Sequence, residues 1–185
     1  MLTVAACIAC GRLDVLAECT GDCADRRFDL VDAEEHETLT AVGAAARAAQ
    51  LRLHAVTDRL AGAPADETEA ARRYAALQAD AHAALTDLHA HEPAMPGAPV
   101  RVEAWRCATC GRIESPQPCL GVCIKHPAAM VTAADHDRLR TDVEAALGEL
   151  AALTTLVRRI ASTTPRAGHA ARTLEVLRDA AQLDD

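Results

Sequence analysis

The chain has 185 residues, half of them apolar and a quarter charged, with a net charge of −8 and a pI near 5.4. Its apolar fraction excludes wholesale disorder, but with one Trp, one Tyr and one Phe the core must be close-packed Ala and Leu rather than large rings. The acidic balance disfavours nucleic acid and anionic membranes as partners, because phosphate contacts need clustered Lys and Arg; no apolar run reaches the roughly 18 residues of a membrane span.

The first residues, MLTVAACIAC, carry no basic segment before their apolar stretch and so do not read as a secretory signal. A reducing, cytoplasmic location is the expectation, where cysteines in paired spacing serve as metal ligands rather than disulfides. Alternation of Leu2 and Val4 suits a short strand leading into Cys7, Cys10, Gly11 and Arg12. Cys19, Gly21 and Cys23 follow. The glycines permit tight turns, so that thiolates converge on one ion at about 2.3 Å in a tetrahedron. Four thiolates leave no open coordination position, which implies folding stability rather than hydrolysis.

Residues 1–30 therefore read as a knuckle. Asp32-Ala33-Glu34-Glu35 then signals a helix start, with an acid three positions after the cap. A helix over about 33–61 carries a seam of Leu39, Val42, Ala46, Ala49, Leu53, Val56 and Leu60, and Gly62-Ala63-Pro64 ends it. A partner helix over 66–91 presents Ala70, Tyr74, Leu77, Ala81 and Leu88. His36 is expected beside the knuckle or on the helix surface, and His82, His89 and His91 on a solvated face. Residues 93–99, which include Pro93, Pro96 and Pro99, form a linker.

Beyond the linker the pattern repeats. A shift of one hundred positions, without a gap, places the first motif on Cys107, Cys110, Gly111, Arg112, Cys119, Gly121 and Cys123. It also matches Val31 with Val131, His36 with His136 and Leu53 with Leu153. Two modules follow, 1–92 and 100–185, the second with a knuckle over 100–127 and helices over about 133–161 and 165–183. Thr132 caps the third helix, whose seam is Leu139, Val143, Ala146, Leu150, Leu153, Val157 and Ile160. Pro165 suits the first turn of the fourth helix, which carries Ala170, Leu174, Leu177 and Ala181. The fold class is mainly α, a tandem duplication of a four-cysteine zinc knuckle with a long helical hairpin. The hairpins should pack as a pseudo-two-fold four-helix bundle, with Leu53 and Leu153 equally buried; otherwise they bury their seams against a protein partner or a second copy.

The C-x2-C-G knuckles resemble those of zinc ribbons, and the first half also resembles a rubredoxin knuckle, which implies iron and electron transfer. The second pair departs from rubredoxin, with three residues between its cysteines, and shielding aromatic residues are scarce. Two zinc ions per chain are the expectation, held by Cys7, Cys10, Cys19, Cys23, Cys107, Cys110, Cys119 and Cys123, with iron as the alternative. No Glu-x-x-His pair for a di-iron bundle and no glycine-rich phosphate loop occurs. A non-catalytic interaction or scaffold protein, or an accessory subunit of a larger complex, is the leading reading, and a small iron redox partner the second. A third is an acidic zinc-containing regulator of RNA polymerase: zinc ribbons with acidic helical hairpins resemble, in architecture, the factors that enter the secondary channel of bacterial RNA polymerase. That resemblance implies acids at the hairpin tip, where the first tip has Asp66, Glu67 and Glu69 but the second carries Arg166 and no acid.

Overall fold

A computed structural model of the chain describes residues 2–7, 13–14, 25–107, 113–114 and 125–182. The protein is mainly helical. In order, the elements are β1 (Leu2–Cys7), β2 (Leu13–Asp14), β3 (Asp25–Asp32), α1 (Ala33–Thr57), a 3-10 turn (Asp58–Leu60) and α2 (Glu67–Ala90). There follow β4 (Arg101–Cys107), β5 (Ile113–Glu114), β6 (Lys125–Thr132), α3 (Ala133–Ser162) and α4 (Ala170–Gln182). Contacts divide the chain into two compact units, Met1–Ala41 with Met95–Asp142 and Val42–Ala94 with Val143–Asp185. Each unit takes residues from both of the modules read in the sequence.

In the first unit the strands close a barrel in the order β1-β2-β5-β4-β3-β6, every neighbouring pair antiparallel. Strands from the two halves of the chain interleave. β1 pairs with β6 from Leu2↔Met130 to Cys7↔Lys125, and β3 pairs with β4 from Asp25↔Cys107 to Val31↔Arg101. The two registers are the same under the hundred-residue shift, since Leu2↔Met130 becomes Val102↔Leu30. Two further pairs, Val31↔Val131 and Asp14↔Glu114, join a residue to its own counterpart and so mark a local two-fold axis through the barrel.

Side chains alternate across β3 with the period of a strand: Leu30 buries with Ala104, Ile113 and Met130, while Val31 turns to Val131 and Ala133. The short strands before the knuckles were foreseeable from their alternation. β3 and β6 were not, because Asp25-Arg26-Arg27 opens β3 with three charges and the strands find their partners in the other half of the chain. Both helix caps occur as expected. Asp32 Oδ1 accepts from the Glu34 amide at 2.8 Å, and Thr132 Oγ1 accepts from the Asp135 amide at 3.1 Å while donating to Asp135 Oδ2 at 2.6 Å.

The second unit is a helical bundle whose seams bury one another. Ala46, Ala49, Leu53, Val56 and Leu60 share a core with Tyr74, Leu77, Ala81, Leu150, Val157, Ile160, Leu174 and Leu177. The one tyrosine places its hydroxyl 3.0 Å from the Ile160 carbonyl and 2.6 Å from that of Thr163, and Gln78 Nε2 donates to the Ala161 carbonyl at 2.7 Å. These contacts satisfy carbonyls left open where α3 ends. Burial pushes the Tyr74 phenol above its ordinary pKa, so the group stays a neutral donor.

Helices α1 and α3 approach closely where Gly43 faces Val143, its own counterpart: a Cβ on Gly43 would lie 2.8 Å from Val143 Cγ2. Gly43→Leu is therefore expected to destabilise the bundle by about 1–3 kcal/mol through overpacking. Gly43→Ala should cost less, because its better helix propensity returns up to about 1 kcal/mol. A urea midpoint for Gly43→Leu equal to that of the wild type would contradict so close an approach.

Two expectations about the helices are corrected. Helix α4 starts at Ala170 rather than at Pro165: the Thr163 amide closes α3 onto the Arg159 carbonyl at 3.0 Å, and the His169 amide bonds to the Arg166 carbonyl at 3.0 Å, with Gly168 at φ +75° between them. The α4 start is capped from a distance, by the Glu67 carboxylate accepting from the amides of Ala170 and Ala171. The acids of the first tip are likewise used in caps, for Asp66 accepts from the Glu69 amide at 2.7 Å and Glu69 from the Ala65 amide at 2.6 Å. Leu153 is only partly buried, whereas Leu53 is 1% exposed. The halves thus depart from symmetry where α1 gives way to a 3-10 turn at Asp58 while α3 runs on to Ser162. Leu153 lines an opening with His54, Asp58, Glu149 and Arg178.

Candidate metal centres

Cys7 is the last residue of β1 and Cys107 the last of β4. The pairs Ala6↔Leu13 and Arg106↔Ile113 join the strands on either side of each C-x2-C-G-R run. Each run therefore connects two strands that return antiparallel on one another, the setting a knuckle requires. Cys10, Cys19, Cys23, Cys110, Cys119 and Cys123 lie outside the described residues. Among the described residues, no three or more His, Cys, Asp or Glu side chains are grouped to hold a metal ion.

The backbone pairs of Cys7 and Cys107 are informative because they reach across the repeat. Cys7 is opposite Lys125 and Cys107 is opposite Asp25. β3 and β6 meet only at their far ends, through Leu30↔Thr132, Val31↔Val131 and Asp32↔Met130, and from that crossing their first residues run in opposite directions. Six residues each way from Val31 and Val131, at about 3.3 Å per residue, leave roughly 40 Å of strand between Asp25 and Lys125. Around the other side of the barrel these ends lie closer, since Ala5↔Asp14, Asp14↔Glu114 and Glu114↔Trp105 step from β1 to β4 across three strand spacings of about 4.8 Å. Cys7 and Cys107 each lie two residues beyond, in opposite directions. Cys7 and Lys125 thus belong to one end of the barrel, and Cys107 and Asp25 to the other.

His36 and His136 were expected beside the knuckle or on a helix surface. His136 is instead buried at 2% exposure, and His36 is partly buried. Their ring centroids lie 5.8 Å apart at an interplanar angle of 53°, pairing two counterparts in the first turns of α1 and α3. The Nδ1 atoms of both rings and Oε2 of Glu35 are buried without a hydrogen-bond partner. Burial, followed by the neighbouring His36, holds the His136 pKa below the ordinary histidine value against the opposing pull of Asp137 and Glu35. Sequence reasoning missed this pair. The equal offset of the two histidines was the available signal, but it located neither one on the two-fold axis. His82, His89 and His91 are exposed, as expected of a solvated face.

Comparison with protein-family models, curated proteins and solved structures gives no match. Among the described residues, no helix is long and apolar enough to cross a membrane.

Proposed function

We propose that the protein is a non-catalytic scaffold whose eight cysteines hold two structural zinc ions, each ion joining one half of the chain to the other. One centre takes Cys7, Cys10, Cys119 and Cys123; the second takes Cys107, Cys110, Cys19 and Cys23. The observation that carries this grouping is the strand register, Cys7↔Lys125 and Cys107↔Asp25. Cys123 precedes Lys125 by two residues and Cys23 precedes Asp25 by two, so neither can lie more than about 7 Å of chain from its neighbour. Thiolates on one zinc sit about 4 Å apart, given Zn–S bonds near 2.3 Å. A centre within one repeat would have to bridge opposite ends of the barrel; a centre across the repeats bridges neighbouring strands.

Zinc has physical work to do there. Among the described residues, Leu30, Ala104, Ile113 and Met130 are buried in the barrel interior, and metal or disulfide staples are a common supplement to the core of a small domain. Thiolates kept for metal accord with a reducing, cytoplasmic setting. In the bundle the helix seams bury one another, which leaves a polar outer surface on an acidic chain. Leu51, Val100 and Val176 are its exposed large apolar side chains among the described residues. A protein partner would meet this scaffold mainly through charged and polar groups.

Metal analysis of the purified protein tests the reading. The expected sample is colourless and holds two zinc ions per chain. Visible absorbance that bleaches on reduction would replace zinc by iron and the scaffold by an electron carrier.

A further inference from the structure

We infer that His36 and His136 form a proton-sensitive latch: uncharged, they let the first turns of α1 and α3 lie side by side, and a proton on the pair drives those turns apart. The inference goes beyond the zinc reading and does not depend on it. Its basis is the contact of two titratable rings, 5.8 Å between centroids, one of them 2% exposed. Neither Nδ1 atom has a hydrogen-bond partner, so an imidazolium on either ring would hold its Nδ1–H buried without an acceptor. Two imidazolium charges at this separation would repel one another where little water screens them.

The surrounding charges do not cancel that repulsion. On α1, the Glu35 carboxylate favours a proton on His136; its Oε1 accepts from the Val100 amide at 3.4 Å while its Oε2 stays unpartnered. Asp32, at the end of β3, caps α1, and Asp29 lies further back on the same strand. On α3, Asp135 is held by Thr132 and Arg138, and Asp137 pairs with Arg101 of β4 at 2.7 Å. Arg140 opposes a proton on His136. Glu35 and Asp137 pull towards the charged ring, whereas burial, His36 and Arg140 push against it, and the balance favours the neutral form.

The sign of the pH effect follows. A histidine with a depressed folded-state pKa contributes stability that is fully present above its unfolded value, near 6.5, and is lost as pH falls from there through the folded value. Within that window the ratio of folded to unfolded protein should drop tenfold for each pH unit per depressed group.

The test is an NMR titration of the histidine ring protons in the full zinc-loaded chain, with urea unfolding between pH 5 and 8 in parallel. His136 should titrate below 6.5, and His36→Gln, which removes a neighbouring positive charge, should raise that midpoint. His136→Gln should flatten the stability profile between pH 5 and 6.5. Should His136→Gln fail to fold, the His36→Gln titration decides alone. The latch is overturned if His136 titrates at or above 6.5, or if His36→Gln leaves its midpoint unmoved. It is also overturned if adding zinc to protein already holding two ions shifts both ring signals at constant pH, for then the pair is a metal site.

Discussion

Stripping the protein of zinc with a chelator is expected to unfold the barrel unit, and Cys110→Ser or Cys119→Ser alone should destabilise it sharply. Structural zinc in small domains binds with an apparent free energy of about 10–16 kcal/mol, all of it released only when the ligands are brought together by folding. Whole domains are stable by only about 5–15 kcal/mol, so losing even part of this term is decisive. Cys110 and Cys119 fall in different centres in the crosswise assignment. Either substitution should therefore weaken one end of the barrel and, through the interleaved β1–β6 and β3–β4 ladders, both halves of the chain. Thermal melting followed by circular dichroism checks this, and a melting temperature unchanged by either substitution would contradict a folding role for the thiolates.

Unequal losses are expected from the two matched leucines of the bundle. Leu53 is 1% exposed within the shared core, so Leu53→Ala should cost about 2–5 kcal/mol, the sum of lost transfer energy and the cavity left behind. Leu153 packs against that core only in part and lines an opening beside Asp58 and Arg178. Water already reaches its surroundings, so Leu153→Ala should fall at or below the bottom of that range. Equal shifts of the urea midpoint would show that the two positions are energetically the same.

Much of the bundle was legible in the sequence because its determinants are local. The three- and four-residue spacing from Leu39 to Leu60 marks the buried face of α1, and the caps at Asp32 and Thr132 mark helix starts within a residue. Helix α4 was misplaced for the complementary reason: Pro165 gives a local start signal, but the cap that fixes the start at Ala170 is Glu67, 103 residues away. The barrel was hidden for the same cause at larger scale. A repeat in sequence suggests two self-contained modules, yet β1 is completed by β6 and β3 by β4, and pairing between distant strands leaves no periodic trace. The two-fold relation itself was readable in the hundred-residue offset. Which residues meet on its axis, Val31 with Val131 and His36 with His136, was not.

The assignment of thiolates to ions can be read most directly by counting chelator-resistant zinc in two double variants by native mass spectrometry. Cys7→Ser with Cys123→Ser removes two ligands from one centre and should leave one zinc ion per chain held as firmly as in the wild type. Cys7→Ser with Cys23→Ser removes one ligand from each centre and should leave none held so firmly. The reverse result, with the firmly bound ion surviving in the Cys7/Cys23 variant and lost from the Cys7/Cys123 variant, would mean that each repeat closes its own centre and that zinc does not join the halves.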